Sequence, residues 1–475
     1  MHKVVLAKGD GIGPEITEAV VSILEAAKAP LEYTEIDLGE KVFSKGIKTG
    51  IEPSTWDVLK KIPVLLKAPI TTPQGGGFKS LNVTLRSKLG LYANVRPFVA
   101  YSPFVETNFP KLDLVIIREN EEDLYAGIEH RQTEDCIQCL KLITRKGCER
   151  IIRYAFEYAV ANNRKKVSCM TKDNIMKLTD GLFHKVFDEI KLEYPGIETD
   201  HYIIDIGSAR LAADPERFDV VVTLNLYGDI ISDIVAEVAG SVGLAGSSNV
   251  GESFGMFEAI HGSAPDIAGK GIANPSGLLL GSLMMLSHLN LPKEASLIHN
   301  ALLKTLEDGI HTGDIYSDAH SKKRVGTKEF TNALVARLGE KPSKLKVVEY
   351  SETNQNKKSS KGTTKPIEEK KLVGLDLFLE VHDTDVSALA KKVSTLLPEH
   401  LALKMISNRG TIIWPELNDS TLLSDHWRLR IQGTENIPEI SHQDILDVLS
   451  KLNNSNLSFI KVENLYSFDG VMSFS

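Results

Sequence analysis

Two aspartates four residues apart, Asp229 and Asp233 in Asn225-Leu-Tyr-Gly228-Asp229-Ile-Ile-Ser-Asp233, are the first residues in this chain whose types and spacing point to chemistry. The run leaves an apolar strand-like stretch and enters a helix-like one, so both carboxylates fall on one helical face. Like charges placed this way repel, and a hard divalent cation, Mg²⁺ or Mn²⁺, would offset the repulsion. An acidic turn favoured by the helix dipole fits the same spacing. Asp205, after the apolar Tyr202-Ile-Ile204, adds a third carboxylate at an expected strand end. Arg86 in Ser80-Leu-Asn82-Val-Thr-Leu-Arg86, Arg96 in Asn94-Val-Arg96-Pro97 and Arg118 in Ile117-Arg118-Glu-Asn stand near strand or turn boundaries. Each can hold a carboxylate bidentately, and a small polyanion would use all three; surface solvation is the plainer role for any one of them. Tyr125 and Lys172 suit acid/base work if the fold brings them together, where the ammonium would lower the phenol pKa.

A second run, His261-Gly-Ser-Ala-Pro-Asp266-Ile267-Ala-Gly269 closed by Asn274-Pro275, combines conformational punctuation with polar side chains. Its glycines admit close backbone approach to a ligand, and Pro265 fixes the turn that would aim Asp266. An ordinary loop has the same composition.

The elements that must position these residues alternate. Lys3 to Lys8 reads as a strand, Gly9-Asp-Gly11-Ile-Gly13 as a turn, and Pro14 as the start of a helix with Ile16, Val20, Ile23 and Ala27 on one face. The glycines follow G-x-G-x-G, and no acidic residue closes a second strand, so a Rossmann dinucleotide site is not expected there. Further strands are expected at Val64–Lys67, Leu112–Arg118, Lys166–Met170, His201–Ile206 and Asp219–Leu224, with helices at Cys148–Ala161 and Ile175–Ile190. This is an α/β pattern, with polar clusters such as Lys67-Ala-Pro-Ile-Thr71-Thr72 at strand ends. The run from Tyr350 to Pro366 has almost nothing to bury and reads as a solvated linker. Beyond it, a strand at 374–382, a helix at 386–397, strands at 402–413 and 426–432, a helix at 443–452 and a strand at 457–465 give a βαββαβ, ferredoxin-like α+β domain. Ser441-x-x-Asp444 is an expected capping box.

The 475 residues imply several domains, and 42% hydrophobic with 25% charged residues is ordinary globular composition. A net charge of -8 argues against nucleic acid as a partner. The longest apolar stretch, Leu278 to Leu286, is too short for a bilayer and reads as a buried helix. With four cysteines and no secretory leader pattern, the expected setting is cytoplasmic, without membrane partners. Cys136-x-x-Cys139 has no second pair with which to build a structural zinc site.

These runs, in this order, resemble the isocitrate and 3-isopropylmalate dehydrogenase family over residues 1 to about 345, and the tail resembles the extension of long-form bacterial isocitrate dehydrogenases. The resemblance implies the family's fold rather than a Rossmann fold. It implies a large cofactor-binding domain (1–98 and 240–345), a small domain with the substrate and metal site and the dimer contacts (99–239), a linker (346–371) and a C-terminal domain (372–475). It implies metal-dependent oxidative decarboxylation of isocitrate to 2-oxoglutarate, a step of the tricarboxylic acid cycle. Ser80 and Asn82 would contact the carboxylate that distinguishes isocitrate, and Arg86, Arg96 and Arg118 would bind substrate carboxylates. Tyr125 and Lys172 would be catalytic, and Asp205, Asp229 and Asp233 the metal ligands. The lysine and one aspartate would come from a neighbouring subunit, which implies a homodimer or a higher oligomer.

Thr71, Thr72, His261, Gly262, Ser263, Ala264, Asp266, Ile267 and Asn274 match the cofactor site. NADP-using members commonly carry Lys-Tyr at Asp266-Ile267, and a Tyr and an Arg within the segment 313–317; this chain has neither pair, the segment holding Tyr316 but no arginine. Asp266 would accept hydrogen bonds from ribose hydroxyls and repel a 2′-phosphate, so NAD is the expected cofactor. NADP is the alternative, through Lys322, Lys323 and Arg324. Competing readings are a 3-isopropylmalate, homoisocitrate or tartrate dehydrogenase, against which Ser80 and Asn82 stand, and a noncatalytic regulatory subunit.

Overall fold

The computed structural model describes residues 1–71, 80–352, 367–382, 385–416 and 421–475. Thr72, expected at the cofactor site, and most of the expected linker lie outside the described residues. The chain divides into two compact units, Met1–Ala126 with Lys141–Ser359, and Gly127–Leu140 with Ser360–Ser475.

The first unit is built on a ten-stranded sheet. Its strands are β1 (His2–Ala7), β2 (Leu31–Ile36), β3 (Val64–Lys67), β4 (Ala93–Val99) and β5 (Asp113–Glu119). After a hairpin, β6 (Glu129–Arg131) and β7 (Ile137–Cys139), come β8 (Lys166–Thr171), β9 (Glu198–Ile203), β10 (Val220–Thr223), β11 (Gly246–Val250) and β12 (Gly255–Ala259). The order is β2-β1-β3-β12-β11-β4-β5-β10-β8-β9. Two parallel wings, β2-β1-β3-β12 and β5-β10-β8-β9, meet through β11 and β4, which pair antiparallel on both sides.

The helices are α1 (Gly13–Ala26), α2 (Glu40–Phe43), α3 (Pro53–Lys61), α4 (Leu81–Lys88), α5 (Arg145–Ala161), α6 (Thr179–Ile190), α7 (Ile204–Ala213), α8 (Asn225–Val238), α9 (Ser276–His288), α10 (Pro292–Glu307) and α11 (Thr327–Val335). Pro14 sits in the first turn of α1, where its missing N–H goes unnoticed, and Ile16, Val20 and Ile23 are buried as their spacing predicts. On the first wing, α1, α9, α10 and α11 cover one face and α3 with α4 the other. On the second, α5 and α6 cover one face and α7 with α8 the other. The apolar run from Leu278 to Leu286 is the buried α9, and no described helix is long and apolar enough to cross a membrane.

Two boundaries differ from expectation near the site. The strand expected over His201–Ile206 ends at Ile203, so Asp205 sits in the first turn of α7 rather than at a strand end. There the Ser208 hydroxyl bonds back to the Ile204 carbonyl at 2.7 Å, closing the helical turn. Helix α6 begins at Thr179 rather than Ile175, which leaves the residues after Lys172 in turns.

The second unit holds β15 (Lys370–Glu380), α12 (Val386–Leu396), β16 (Leu401–Asn408), β17 (Thr411–Trp414), β18 (His426–Gly433), α13 (His442–Asn454), β19 (Phe459–Phe468) and β20 (Val471–Met472); the short pair β13 (Ile310–His311) and β14 (Lys323–Arg324) belongs to the first unit. The order β17-β16-β18-β15-β19-β20, antiparallel throughout, contains the ferredoxin-like arrangement. The single strand expected at 402–413 is a hairpin, because Arg409 and Gly410 both take positive φ, 51° and 81°, as a two-residue turn requires. Ser441 and Asp444 cap α13 reciprocally. The β6–β7 hairpin packs within this unit, with Thr133 on Asp425 and Gln138 3.2 Å from Lys461.

Candidate active site

Two cavities meet at the His261–Gly262 backbone, which lines both. The first, about 230 Å³, brings Lys67, Arg86 and Arg96 together with the carboxylates of Asp229 and Glu258. Ser80, Asn82 and Arg86 reach it from the first two turns of α4, and the Ser80 side chain is left free of helix capping. Arg96 comes from β4, where Asn94 anchors it by accepting from Nε at 2.6 Å. Lys67, the last residue of β3, pairs at 2.6 Å with Glu258 on the neighbouring strand β12, and their side chains are only 1% and 7% exposed. Against the burial that would raise it, Lys67 and Arg86 hold the Glu258 carboxyl down at about 2.

Arg118, near the end of β5, lies behind Arg96. Asn225, the first residue of α8, accepts from its Nε at 3.0 Å and its Nη2 at 2.8 Å, and Asp229 accepts from Nη1. Gly228 makes this possible, since a Cβ there would come within 2.6 Å of the arginine Cγ. Burial, then the charges of Arg96 and Arg86, push the Arg118 pKa down to about 9. Burial raises the Asp229 carboxyl, but Arg118 and Arg96 outweigh it and hold the group below its ordinary value. Asp233, one turn further along α8, goes the other way: burial raises it more than Arg96 lowers it, and Asp229 adds to the rise. Three polar atoms in this region, Asn82 Oδ1, Arg86 Nε and Arg96 Nη1, are buried with no hydrogen-bond partner. Most buried polar groups are satisfied, so three unpartnered atoms on residues that line one cavity single out this region as a candidate site.

Tyr125 and Lys172 are not brought together within the chain. The Tyr125 hydroxyl donates to Asp229 Oδ2 at 2.5 Å, and its ring lies 4.8 Å from the Arg118 guanidinium. Lys172 Nζ instead pairs with Asp205 Oδ1 at 2.8 Å, and neither residue lines the cavity. The expected lowering of the phenol pKa is therefore corrected: burial raises it, Arg118 offsets only part, and the Asp229 carboxylate raises it further. Lys67 and Glu258 were missed by sequence reasoning, although Lys67 stood in a recognised strand-end cluster. Glu258, in the apolar Gly255–Ala259, carries no local signal.

The second cavity, about 560 Å³, takes Ala264, Ile267 and Asn274 from the expected loop, with Gly243, Asp314 and Arg324 facing them. Ser263 is buried, its hydroxyl 2.7 Å from that of Thr71. The opening glycine turn backs this contact: Gly11, at φ 59°, presses on the Ser263 carbonyl where no Cβ fits. Asn274 ties the cavity wall together, accepting from the Ser276 N–H at 2.9 Å and donating to Asp314 at 3.0 Å. Asp266 is exposed and is not among the lining residues, whereas Arg324 is.

The family described as isocitrate/isopropylmalate dehydrogenase matches residues 3–334, and the bacterial isocitrate dehydrogenase C-terminal domain matches 370–475. The chain is 55% identical to a Rickettsia bellii protein named isocitrate dehydrogenase [NADP], over 99% of this chain and 98% of that one. It is 44% identical to a Thermus thermophilus protein of the same name, over 98% and 94%. A crystal structure of a T. thermophilus protein superposes with a TM-score of 0.92 at 43% identity, covering 100% of this chain and 95% of that one. The cofactor in these relatives' names corrects the expectation of NAD drawn from Asp266. The physical reason is its exposure: a carboxylate in water repels a charge 4 Å away by only ~1 kcal/mol, the weak end of the range. By the match over both segments, the chain belongs to the isocitrate/isopropylmalate dehydrogenase family and carries the bacterial isocitrate dehydrogenase C-terminal domain.

Proposed function

We propose that this chain is an isocitrate dehydrogenase that oxidises and decarboxylates isocitrate to 2-oxoglutarate with NADP and a divalent cation, acting as a homodimer with shared active sites. The observation that carries this reading is the cavity that Ser80, Asn82, Arg86, Arg96 and Tyr125 line together, where Asn82, Arg86 and Arg96 each keep a buried polar atom without a partner. Lys67, Arg86, Arg96 and Arg118 there outnumber Glu258, Asp229 and Asp233 by one. A tricarboxylate together with a divalent cation brings the local charge close to balance. An alkyl-bearing malate would leave Ser80 and Asn82 with nothing to bond.

The donor set suits a hard cation, since Asp229 and Asp233 offer only oxygens on one face of α8 and the exposed Asp205 offers another. Such a cation, when bound, would supply Lewis-acid polarisation of the substrate hydroxyl, and a bound nicotinamide would supply the hydride acceptor. The chain's own groups do the rest. The arginines orient and neutralise the carboxylates. Lys172, from a second copy, takes the C2 hydroxyl proton as hydride leaves, which gives a β-keto acid. Loss of its β-carboxylate as CO₂ leaves C3 to be protonated by Tyr125, whose raised pKa keeps the phenol in the donating form.

A second copy accounts for what one chain leaves apart. Lys172 and Asp205 pair away from the cavity, and Ile175 and Leu178 in the turn before α6, Ile206 on α7 and Ile230 on α8 are each about half exposed or more. Burying such a face against its own copy is the usual basis of a two-fold dimer. Arg324 in the larger cavity supplies a cation for the 2′-phosphate in place of the Lys-Tyr pair. Initial rates with Mg²⁺, comparing isocitrate with 3-isopropylmalate and NADP with NAD, test the reading. Isocitrate with NADP should be the preferred pair; turnover of 3-isopropylmalate alone would overturn the substrate, and a higher kcat/KM with NAD the cofactor.

A further inference from the structure

Away from the two cavities, Asp173, His184 and His201 converge from three elements: the turn after β8, the body of α6 and the strand β9. We propose that these three side chains form a binding site for a borderline transition-metal cation of the zinc class, beside the turn that carries Lys172. The site rests on coordination chemistry and stands apart from the catalytic reading.

The three side chains lie within reach of one ion, though the rings must move to share it. The two imidazoles stack with centroids 3.7 Å apart and planes 16° from parallel, so binding one metal requires them to tilt apart until their in-plane lone pairs converge. His184 Nδ1 is 2.6 Å from Asp173 Oδ2, and His201 Nε2 is 3.9 Å from Oδ1 of the same carboxylate. One ligand atom from each residue fits within 4.8 Å of the others. Tetrahedral zinc with bonds of about 2.0–2.2 Å needs its donors roughly 3.3–3.5 Å apart, so the short contact must open and the long one close by well under 1 Å each. Flanking groups suit this role. Asp188 lies 3.7 Å from the far nitrogen of His184, the position from which a carboxylate fixes a ligating imidazole. The Thr171 hydroxyl, 2.8 Å from His201 Nε2, also bonds the Asp173 carboxylate and can stay on that oxygen when the nitrogen turns to a metal. An open groove along α6, lined by Gly181, His184, Lys185, Asp188, Glu189 and Leu192, leaves the His184 side of the cluster open to solvent.

Two nitrogens and one carboxylate select Zn²⁺, Co²⁺ or Ni²⁺ over Mg²⁺, which prefers an all-oxygen shell. That separates this site from the Asp229–Asp233 carboxylates. A bound ion would also stake Asp173, the residue after Lys172, to α6 and β9.

The test is metal content after equilibration with Zn²⁺ in excess Mg²⁺, with Co²⁺ visible absorption as a second readout that does not depend on turnover. The wild-type chain should hold one more Zn²⁺ than His184→Ala, His201→Ala or His184→Gln. The last variant keeps an amide to bond Asp173, and circular dichroism establishes that each is folded. Cys136→Ser/Cys139→Ser should keep the full complement. Equal zinc content in wild type and the folded histidine variants, or loss of the ion only in the cysteine variant, would overturn the site.

Discussion

Replacing Arg324 with alanine should weaken NADP and leave NAD almost untouched. The side chain stands on β14 and lines the larger cavity opposite Ala264 and Asn274, its Nη2 3.0 Å from where a Cβ on Gly313 would be. The guanidinium centre is 5.8 Å from the Tyr316 ring. A ribose 2′-phosphate carries about -1.5 to -2 charges at neutral pH. A unit pair at 4 Å is worth ~1 kcal/mol in water and ~4 kcal/mol near a protein surface with an effective dielectric of 20. Arg324 is exposed, which puts the contribution toward the low end, about 1–3 kcal/mol and hence roughly a 5- to 150-fold fall in kcat/KM for NADP. NAD lacks the phosphate, so the NADP/NAD ratio should fall by the same factor. The salt sensitivity of the NADP rate should fall with it, because an exposed pair is screened. Initial rates with both cofactors at two ionic strengths provide the measurement. Equal losses for NAD and NADP would mean that Arg324 serves the cavity wall rather than the phosphate, and an unchanged ratio would remove it as the selector. Asp266→Ala is the companion variant, and removing its repulsion, ~1 kcal/mol per unit charge on the phosphate, should improve NADP use by no more than about 30-fold.

Glu258→Gln should lower the unfolding midpoint by the equivalent of about 3–5 kcal/mol, since it strands the buried Lys67 ammonium without its carboxylate; an unchanged midpoint in thermal or urea unfolding would refute that account. Glu119 is raised by burial to about 7 from an ordinary 4.5. Its protonated form therefore contributes stability that is complete below about 4.5 and lost as pH rises through about 7, on the order of 3 kcal/mol. Glu119→Gln should remove that decline, and parallel stability–pH curves for the two proteins would contradict it. Finally, Lys172→Ala and Asp229→Asn homodimers should each be inactive, yet recover about a quarter of wild-type activity after subunit exchange, because half the dimers then hold one intact site. Exchange without recovery would exclude shared sites.

Much of the smaller cavity was legible because parallel strands hand polar residues to the loops that follow them. Lys67 ends β3, Arg118 nearly ends β5, and Asn225 opens the helix after β10, each at the close of an apolar run. The antiparallel centre of the sheet was not legible. Ala93–Val99 carries a proline and two buried polar residues, Asn94 and Arg96, which argue against a central strand unless something inside needs them. Here something does: Asn94 fixes Arg96, and Arg96 faces the cavity. Glu258 is hidden for the same reason, its partners lying far off in sequence at Lys67 and Arg86. The cofactor preference failed differently. Asp266 was weighed as a charge next to a phosphate, but with Ala264 at φ 40° and Pro265 after it, the chain leaves that carboxylate in solvent. Residue type sets the sign of an electrostatic effect, while exposure sets its size.

The separation of Tyr125 from Lys172 carries the most weight for mechanism. Each belongs to a firmly anchored half. Tyr125 bonds Asp229 on α8, held by two buried arginines. Lys172 has its backbone N–H on the buried Asp180 at the start of α6 and its ammonium on Asp205 at the start of α7. Moving the Lys172 backbone across would break its N–H bond to the buried Asp180 and the turn that follows, while the exposed Lys172–Asp205 ion pair adds little to that anchoring. Rigid anchoring therefore argues against a rearrangement inside one chain and for completion by a second copy. On the proposed reading, proton removal at C2 and proton delivery at C3 would depend on groups from different subunits, so the dimer interface would set the distance between the base and the acid.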